Sequence, residues 1–394
     1  MGESKPMTTK YRIGIITGSG SVTGDMIAVE PQLKLIHILE PLSEVSIWVA
    51  TNYDAIKSRL PSKVSIMNIH SPYYLRQQDR EDSFLTRLFF FLLYQIKIVS
   101  ALFRLRRKLD ILVFACGADL YVFPMLFGKL LRKTIILRSA GRPSGVFEKY
   151  YTNPSKHKKA LFKVVETLSY LLVDKLLPEN EYMVDLYNLH RYENKIADGS
   201  LYVDTSFFGK SKNLVDRTYR IGYIGRFSQE KGVLELAQSL PLLLKEDHAR
   251  AIMIGDGNVK EDIEQVFIRG NIQDKVRLIG WTQQEEIPNY LSDIKIVVVP
   301  SYREGMPNIV LEAMGCGCIV LGTPVGGIPG VIIDGETGFI MENNSPGCIA
   351  RNIVRALNHP NLDEISRNAY TLVKKKFTYK AAVERYRSAL ASVE

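Results

Sequence analysis

The sequence predicts an α/β protein made of two doubly wound domains. Three observations carry that expectation. With 394 residues the chain is long for a single core. Short apolar, β-branched runs alternate with helix-length stretches along it, the pattern of parallel strands joined by crossover helices. One run, 294–299, reads as a buried parallel strand that feeds a loop and then a helix, the usual placement of a binding site in such a sheet. The composition, 46% apolar and 24% charged, is that of a folded globular chain rather than a disordered one.

Taken in order, the first strand is expected at 11–17, YRIGIIT, and it runs into Gly18-Ser19-Gly20. Glycines there allow a tight turn and close approach to a ligand. The spacing is not the dinucleotide G-x-G-x-x-G, and the second strand, 45–50, runs into Thr51-Asn52 with no acidic residue at its end. Both failures argue against a nicotinamide cofactor. A third strand is expected at 64–69. The stretch 84–109, FLTRLFFFLLYQIKIVSALFRLRRKL, follows with six basic residues and no acid. Its longest uncharged run, 88–96, falls well short of the roughly 20 residues of a membrane span. Wound as a helix, it places Arg87, Lys97, Arg104 and Lys108 within an arc of about 100°. Two readings stay open: a helix packed on the sheet with its charges reaching water, or a helix docked on an anionic membrane surface.

Strands at 110–116 and 134–138 flank a helix at 120–131, and the polar, glycine-rich loop 139–145 sits where a binding loop belongs. One more helix and strand share 168–177. A second series opens with a strand at 219–224, the loop Gly225-Arg226-Phe227-Ser228-Gln229-Glu230-Lys231-Gly232, and a helix through Leu244. Strands at 251–254 and 276–280 follow, the latter leading into Trp281. After the strand 294–299, Pro307 suits the first helical position, and Gly315 and Gly317 stop the helix after about two turns. A strand at 319–321 and a last helix at 377–390 complete the series.

Chemistry concentrates at Arg303-Glu304-Gly305-Met306-Pro307-Asn308-Ile309-Val310-Leu311-Glu312. The backbone N–H groups of Gly305 to Ile309 would point out of a helix N-terminus, an anion site by construction. Glu304 in the loop and Glu312 one turn into the helix could accept hydrogen bonds from sugar hydroxyls. Arg226 and Lys231 add a bidentate guanidinium and a compact ammonium suited to a diphosphate. The combination suits a molecule that is both phosphate ester and polyol. The bland alternative is a capped helix with two solvated glutamates.

The stretch EGMPNIVLEAMGCG resembles the E-x7-E element of the retaining glycosyltransferases of the GT-B fold, glycosyltransferase family 4 or group 1, which include sucrose synthase and many bacterial and archaeal mannosyl- and glucosyltransferases. Gly225 to Gly232 resembles that family's G-R-x-x-x-x-K-G element. Leu201-Tyr202-Val203-Asp204-Thr205-Ser206-Phe207-Phe208 resembles its V-D-T-x-x-F ending of the first domain. The resemblance implies two Rossmann-like domains facing a cleft: 1–208 for the acceptor, 209–376 for the nucleotide sugar, and 377–394 crossing back to the first. It implies that Glu304 contacts the donor sugar and Glu312 the ribose, that the loop amides of Gly305, Met306, Pro307, Asn308 and Ile309 hold sugar and phosphate, and that Arg226 and Lys231 meet the leaving diphosphate. Gly280 and Trp281 would lie by the base, and Gly18 to Gly20 by the acceptor.

The chain also departs from the family. None of its six histidines lies near the ends of the strands where many relatives place one, which leaves Arg138 and Arg142 as polar candidates. Gly330 stands where relatives usually have glutamate. No D-x-D pair occurs, so no divalent ion gripping the diphosphate is expected and no cofactor beyond a nucleotide-sugar co-substrate, a UDP-sugar before a GDP-sugar. The acceptor is expected to be a glycan, lipid-linked or small molecule, and not nucleic acid. A net charge of +9 fits an anionic lipid surface or a phosphorylated substrate, and equally a plain surplus of surface lysine. Four cysteines without disulfide or zinc spacing, and a polar start, give the expectation of a cytoplasmic enzyme, peripheral to the inner face of the membrane. A nucleotide-sugar epimerase or hydrolase and a non-catalytic partner subunit are the alternatives.

Overall fold

Strand β1, Tyr11–Thr17, shows why these runs become a sheet: Ile13, Ile15 and Ile16 are all buried, so both of its faces are covered. The computed structural model describes residues 10–18, 30–50, 59–69, 84–139, 156–210, 212–245 and 249–393. Around β1 lie β2 (Ser43–Ala50), β3 (Val64–Asn68), β4 (Ile111–Ala115), β5 (Thr134–Ser139) and β6 (Lys175–Pro178), in the order β3-β2-β1-β4-β5-β6 with every pair parallel. Ile15 pairs with Trp48 on one side and Val113 on the other. The buried Trp48 indole donates to Thr17 Oγ1 at 3.1 Å, which satisfies its one donor.

The order of the strands sets where the helices go. The step β1 to β2, which carries α1 (Glu30–Leu39), crosses the sheet one way; β3 to β4, β4 to β5 and β5 to β6 all cross the other way. Right-handed crossovers therefore put α1 on one face and α2 (Phe84–Leu105), α3 (Val122–Leu130) and α4 (Lys156–Leu172) together on the opposite face. The packing of α2 on α3 and of α3 on α4 agrees. Helix α2 stops at Leu105, short of the expected Leu109. Arg106 to Lys108 form a turn instead, closed by Lys108 N–H to the Leu105 carbonyl at 2.8 Å, which brings Leu109 back into the core. By length and composition alone, Leu88–Leu105 is long and apolar enough to cross a bilayer, although its longest uncharged run is short. What ties α2 to the domain is packing: Tyr94, Ile98, Ala101 and Leu102 are buried, and Gln95 Oε1 accepts from the Phe123 N–H at the start of α3.

A second sheet has the order β12-β11-β10-β7-β8-β9, again all parallel: β7 (Tyr219–Ile224), β8 (Ala251–Ile254), β9 (Val276–Ile279), β10 (Ile294–Val299), β11 (Ile319–Gly322) and β12 (Phe339–Ile340). One face packs on helices that include Val233–Leu243 and Pro346–Leu357, and the other on Asn308–Gly315 and Leu362–Lys376. Arg217 fastens the entry to this sheet. It is buried with no carboxylate partner among the described residues, and its two terminal nitrogens donate instead to the carbonyls of Ile294 and Cys316, each at 2.7 Å, and of Leu291 and Lys212.

The chain divides into two units. One holds Met1–Glu179, Tyr187–Leu201 and Ala382–Glu394; the other holds Asn180–Leu186 and Tyr202–Ala381.

Candidate active site

Parallel strands end on one edge of a sheet, so the loops after β7, β8, β9 and β10 gather at the carboxyl edge of the second unit. Beyond β10, the chain turns at Pro300-Ser301 and reaches Glu304, whose side chain is 9% exposed. Its Oε1 accepts from Lys231 Nζ at 2.7 Å and from Ser301 Oγ at 2.6 Å. Lys231 is delivered by the loop after β7. That loop tightens into the 3-10 turn Gln229–Lys231 and closes on Gly232, whose φ of +63° is left-handed. A Cβ at position 232 would stand 1.9 Å from the Pro300 carbonyl oxygen, so the contact that sets Lys231 beside Glu304 requires glycine. Across the Glu304 loop lies a second such turn. Gly326 has φ +56° with no room for a Cβ beside the Glu304 carbonyl, and Gly327 N–H donates to the Gly305 carbonyl at 2.7 Å.

The helix after this loop runs Asn308–Gly315. Pro307, expected as its first residue, is instead its N-cap, with ψ at 123°: the chain is still extended there, as a capping residue must be. Pro307 is buried, while Gly305, Met306, Asn308 and Ile309 are partly exposed. Glu312, one turn in, is 4% exposed, and its Oε1 accepts from Gln284 Nε2 at 2.9 Å. Arg226 keeps a half-exposed guanidinium, 3.8 Å from Glu230 Oε1, and its carbonyl accepts from the Tyr223 hydroxyl at 2.8 Å. That buried phenol is held strongly in its neutral form, first by desolvation and then by the charge of Glu304. Gly225 closes β7, its N–H on the Ile254 carbonyl. Gly280 has open space on the side a Cβ would occupy, and Trp281 beside it is 49% exposed.

The second unit thus brings together Gly225, Arg226, Lys231, Glu304, Gly305, Met306, Pro307, Asn308, Ile309 and Glu312 at one sheet edge, with Gly280 and Trp281 past the end of β9, two strands from β7 in the same sheet. Three further residues belong to the constellation: Ser301, Gln284 and Asn180. Asn180 Nδ2 donates to the Gly327 carbonyl at 2.9 Å and lies 3.7 Å from Met306 Sδ, so it braces the loop from behind. It also explains Gly330: a Cβ there would be 2.8 Å from Asn180 Nδ2 and 3.0 Å from Tyr182 Cβ. The space a glutamate would need is taken.

Arg138 belongs to the first unit and is 1% exposed. Its Nη2 donates to Glu179 Oε1 at 2.6 Å and its Nε to the Gly199 carbonyl at 3.1 Å, an internal strut at the end of β5. Gly18 donates to the Cys116 carbonyl, and a Cβ on it would meet the Gly117 backbone at 2.8 Å. Ser19, Gly20 and Arg142 lie outside the described residues. Among the described residues no group of three or more His, Cys, Asp or Glu side chains could hold a metal ion.

Residues 218–359 match the family described as "Glycosyl transferases group 1". The capsular polysaccharide biosynthesis glycosyltransferase CapM of Staphylococcus aureus is 29% identical over 174 residues, 43% of this chain and 45% of CapM. The N-acetyl-alpha-D-glucosaminyl L-malate synthase of Bacillus anthracis is 29% identical over 168 residues, 42% of this chain and 43% of that protein. The chain therefore matches less than half the length of these relatives. Among solved structures, Anabaena HepE in complex with UDP aligns with a TM-score of 0.74 over 96% of this chain and 99% of its own, at 14% identity. Sucrose-phosphate synthase from Thermosynechococcus elongatus aligns with a TM-score of 0.72 over the same shares, at 18% identity. The fold is GT-B, two Rossmann-like domains. The chain is related to the group 1 glycosyltransferases, and its second unit carries the match.

Proposed function

We propose that this chain is a retaining, metal-independent hexosyltransferase that takes its sugar from a UDP-sugar and passes it to a lipid or lipid-linked glycan at a membrane surface. The observation that carries the proposal is the constellation of Glu304, Lys231 and Ser301, with Glu304 Oε1 held at 2.7 and 2.6 Å, directly ahead of a helix N-terminus. Glu304 has an oxygen to offer a sugar hydroxyl, and the amides of Gly305, Met306, Asn308 and Ile309 offer donors to phosphate. Glu312, steadied by Gln284, is the acceptor for ribose hydroxyls. As the sugar–phosphate bond breaks, negative charge grows on the departing diphosphate. Lys231, Arg226 and the helix amides answer it, each preorganised donor contributing about 2–4 kcal/mol by analogy with other anion sites. No step in this scheme calls on a metal. HepE has been solved with UDP and with UDP-glucose, which favours a uridine nucleotide here over GDP.

Thermal shift with UDP, GDP and ADP tests the donor half: a ligand at 100 times its Kd stabilises by about 2.7 kcal/mol. UDP is expected to raise the midpoint and ADP to leave it unchanged. Indifference to all three nucleotides would remove the proposal. Product analysis with UDP-hexose and a lipid extract, against the same mixture without acceptor, separates transfer from hydrolysis or epimerisation.

A further inference from the structure

The first unit carries a face that the transfer chemistry does not use. Helices α2, α3 and α4 form one layer on one side of its sheet, and each presents an apolar stripe outward. On α2 the stripe is Phe89, Ile96 and Phe103, seven residues apart, which stacks them on one side of the helix. On α3 it is Phe123, Leu126 and Leu130, the last 73% exposed; on α4 it includes Val164 and Leu171. Ten of the twenty large apolar side chains exposed among the described residues lie on these three helices. An exposed apolar area of this kind marks a surface that meets something.

The charges on the same helices say what. They carry eight lysines and arginines: three on α2, one on α3 and four on α4. Their single carboxylate, Glu166, is buried against Tyr170. Among the described side chains, these helices present ten exposed apolar residues and six cations, Lys129 being paired with Asp174, and no exposed acid of their own; that combination is complementary to a layer that is apolar inside and anionic at its boundary. A protein partner would need a matching acidic rim around an apolar patch, and a second copy of this chain would set like charges against each other.

We propose that the α2–α3–α4 face docks on an anionic lipid bilayer, its outward apolar stripes entering the headgroup boundary and its lysines and arginines contacting phosphate. The surface is a three-helix layer that the strand order assembles. It rests on the proposed function only for the idea that the acceptor lies at a membrane.

The experiment is flotation with vesicles of phosphatidylcholine, with and without 30 mol% phosphatidylglycerol, in the absence of any nucleotide sugar, so that failure here leaves the transferase reading standing. Two variants leave α2 untouched: Leu126→Ser/Leu130→Ser/Val164→Ser/Leu171→Ser on α3 and α4, and Lys156→Glu/Lys159→Glu/Lys163→Glu on α4. UDP-induced thermal shift serves as the folding control. Expected is binding to phosphatidylglycerol vesicles, at least tenfold weaker for either variant and weakened by 0.5 M salt. Equal binding to neutral vesicles, variants that bind like the wild type, or a chain that ignores vesicles but runs as a dimer that the serine variant dissociates would each overturn the proposal.

Discussion

Lys231 Nζ stands 2.7 Å from Glu304 Oε1, across 73 residues of sequence, and the pair is enclosed by a turn at Gly232 that admits no side chain. The ammonium is thus already in place before any diphosphate arrives. Replacing Lys231 or Arg226 by alanine is expected to lower kcat at least about a hundredfold with a smaller change in donor KM, because the lost charge matters most as the leaving group forms. Steady-state kinetics with UDP-hexose checks this; near-normal kcat in either variant would refute the assignment.

Transfer is expected to survive EDTA. In the proposed scheme the charge on the diphosphate is met by side chains and helix amides, and the sequence has no D-x-D pair. Rates measured in 5 mM EDTA and in added magnesium or manganese should agree within about twofold; a strict need for metal would oppose the proposed scheme.

The Arg138–Glu179 pair, 2.6 Å apart and buried, predicts an asymmetry in stability. Removing one partner, as in Glu179→Leu, leaves a buried charge alone and is expected to cost about 3–5 kcal/mol, whereas Arg138→Met/Glu179→Leu together should cost less than either single change. Urea midpoints of the three variants decide it. If Arg138 instead binds substrate, Arg138→Met would lose activity at unchanged stability.

Asp119 predicts a pH dependence. Burial pushes its carboxyl up to about 6, with the charge of Glu166 adding to the effect and a bond from Ser139 opposing it. One of its oxygens is buried with no hydrogen-bond partner. The folded state thus holds this proton more tightly than the unfolded chain, where the pKa is about 3.9. Its contribution is fully present below about pH 4 and is lost as pH rises through about 6. Asp119→Asn should therefore flatten the stability profile between pH 4 and 7 and exceed the wild type at pH 7, as read by urea midpoints.

Much of the fold was legible in the residues. The runs at 11–17, 219–224, 251–254 and 294–299 are strands with the bounds their β-branched residues imply. Helix ends were less so. Apolar character in α2 runs on to Leu109, but Leu109 is buried by a turn and not by a further helical turn, and hydrophobic pattern does not separate the two. Charged and glycine positions of the candidate site stood out because their spacing is local. Gln284 and Asn180 did not: their partners, Glu312 and Gly327, lie 28 and 147 residues away, and an amide side chain carries no sign of which carbonyl or carboxylate it will meet. Nor does Arg138 announce its partner, since the carboxylate that neutralises it, Glu179, stands just past β6, 41 residues on.

The division of the chain at 179, 186, 201 and 381 bears on how such proteins can be recombined. A graft that exchanges the second unit as one continuous segment from Tyr202 would leave Asn180 behind, and with it the bond that braces the Gly327 carbonyl. It would also strand the closing residues, Ala382–Glu394, which include Tyr386 and its bond to the Gly199 carbonyl, on the wrong parent. Chimaeras that carry residues 180–186 with the second unit and 382–394 with the first should fold where a single-junction exchange fails. The unit of exchange is thus a discontinuous set of residues rather than a half of the gene.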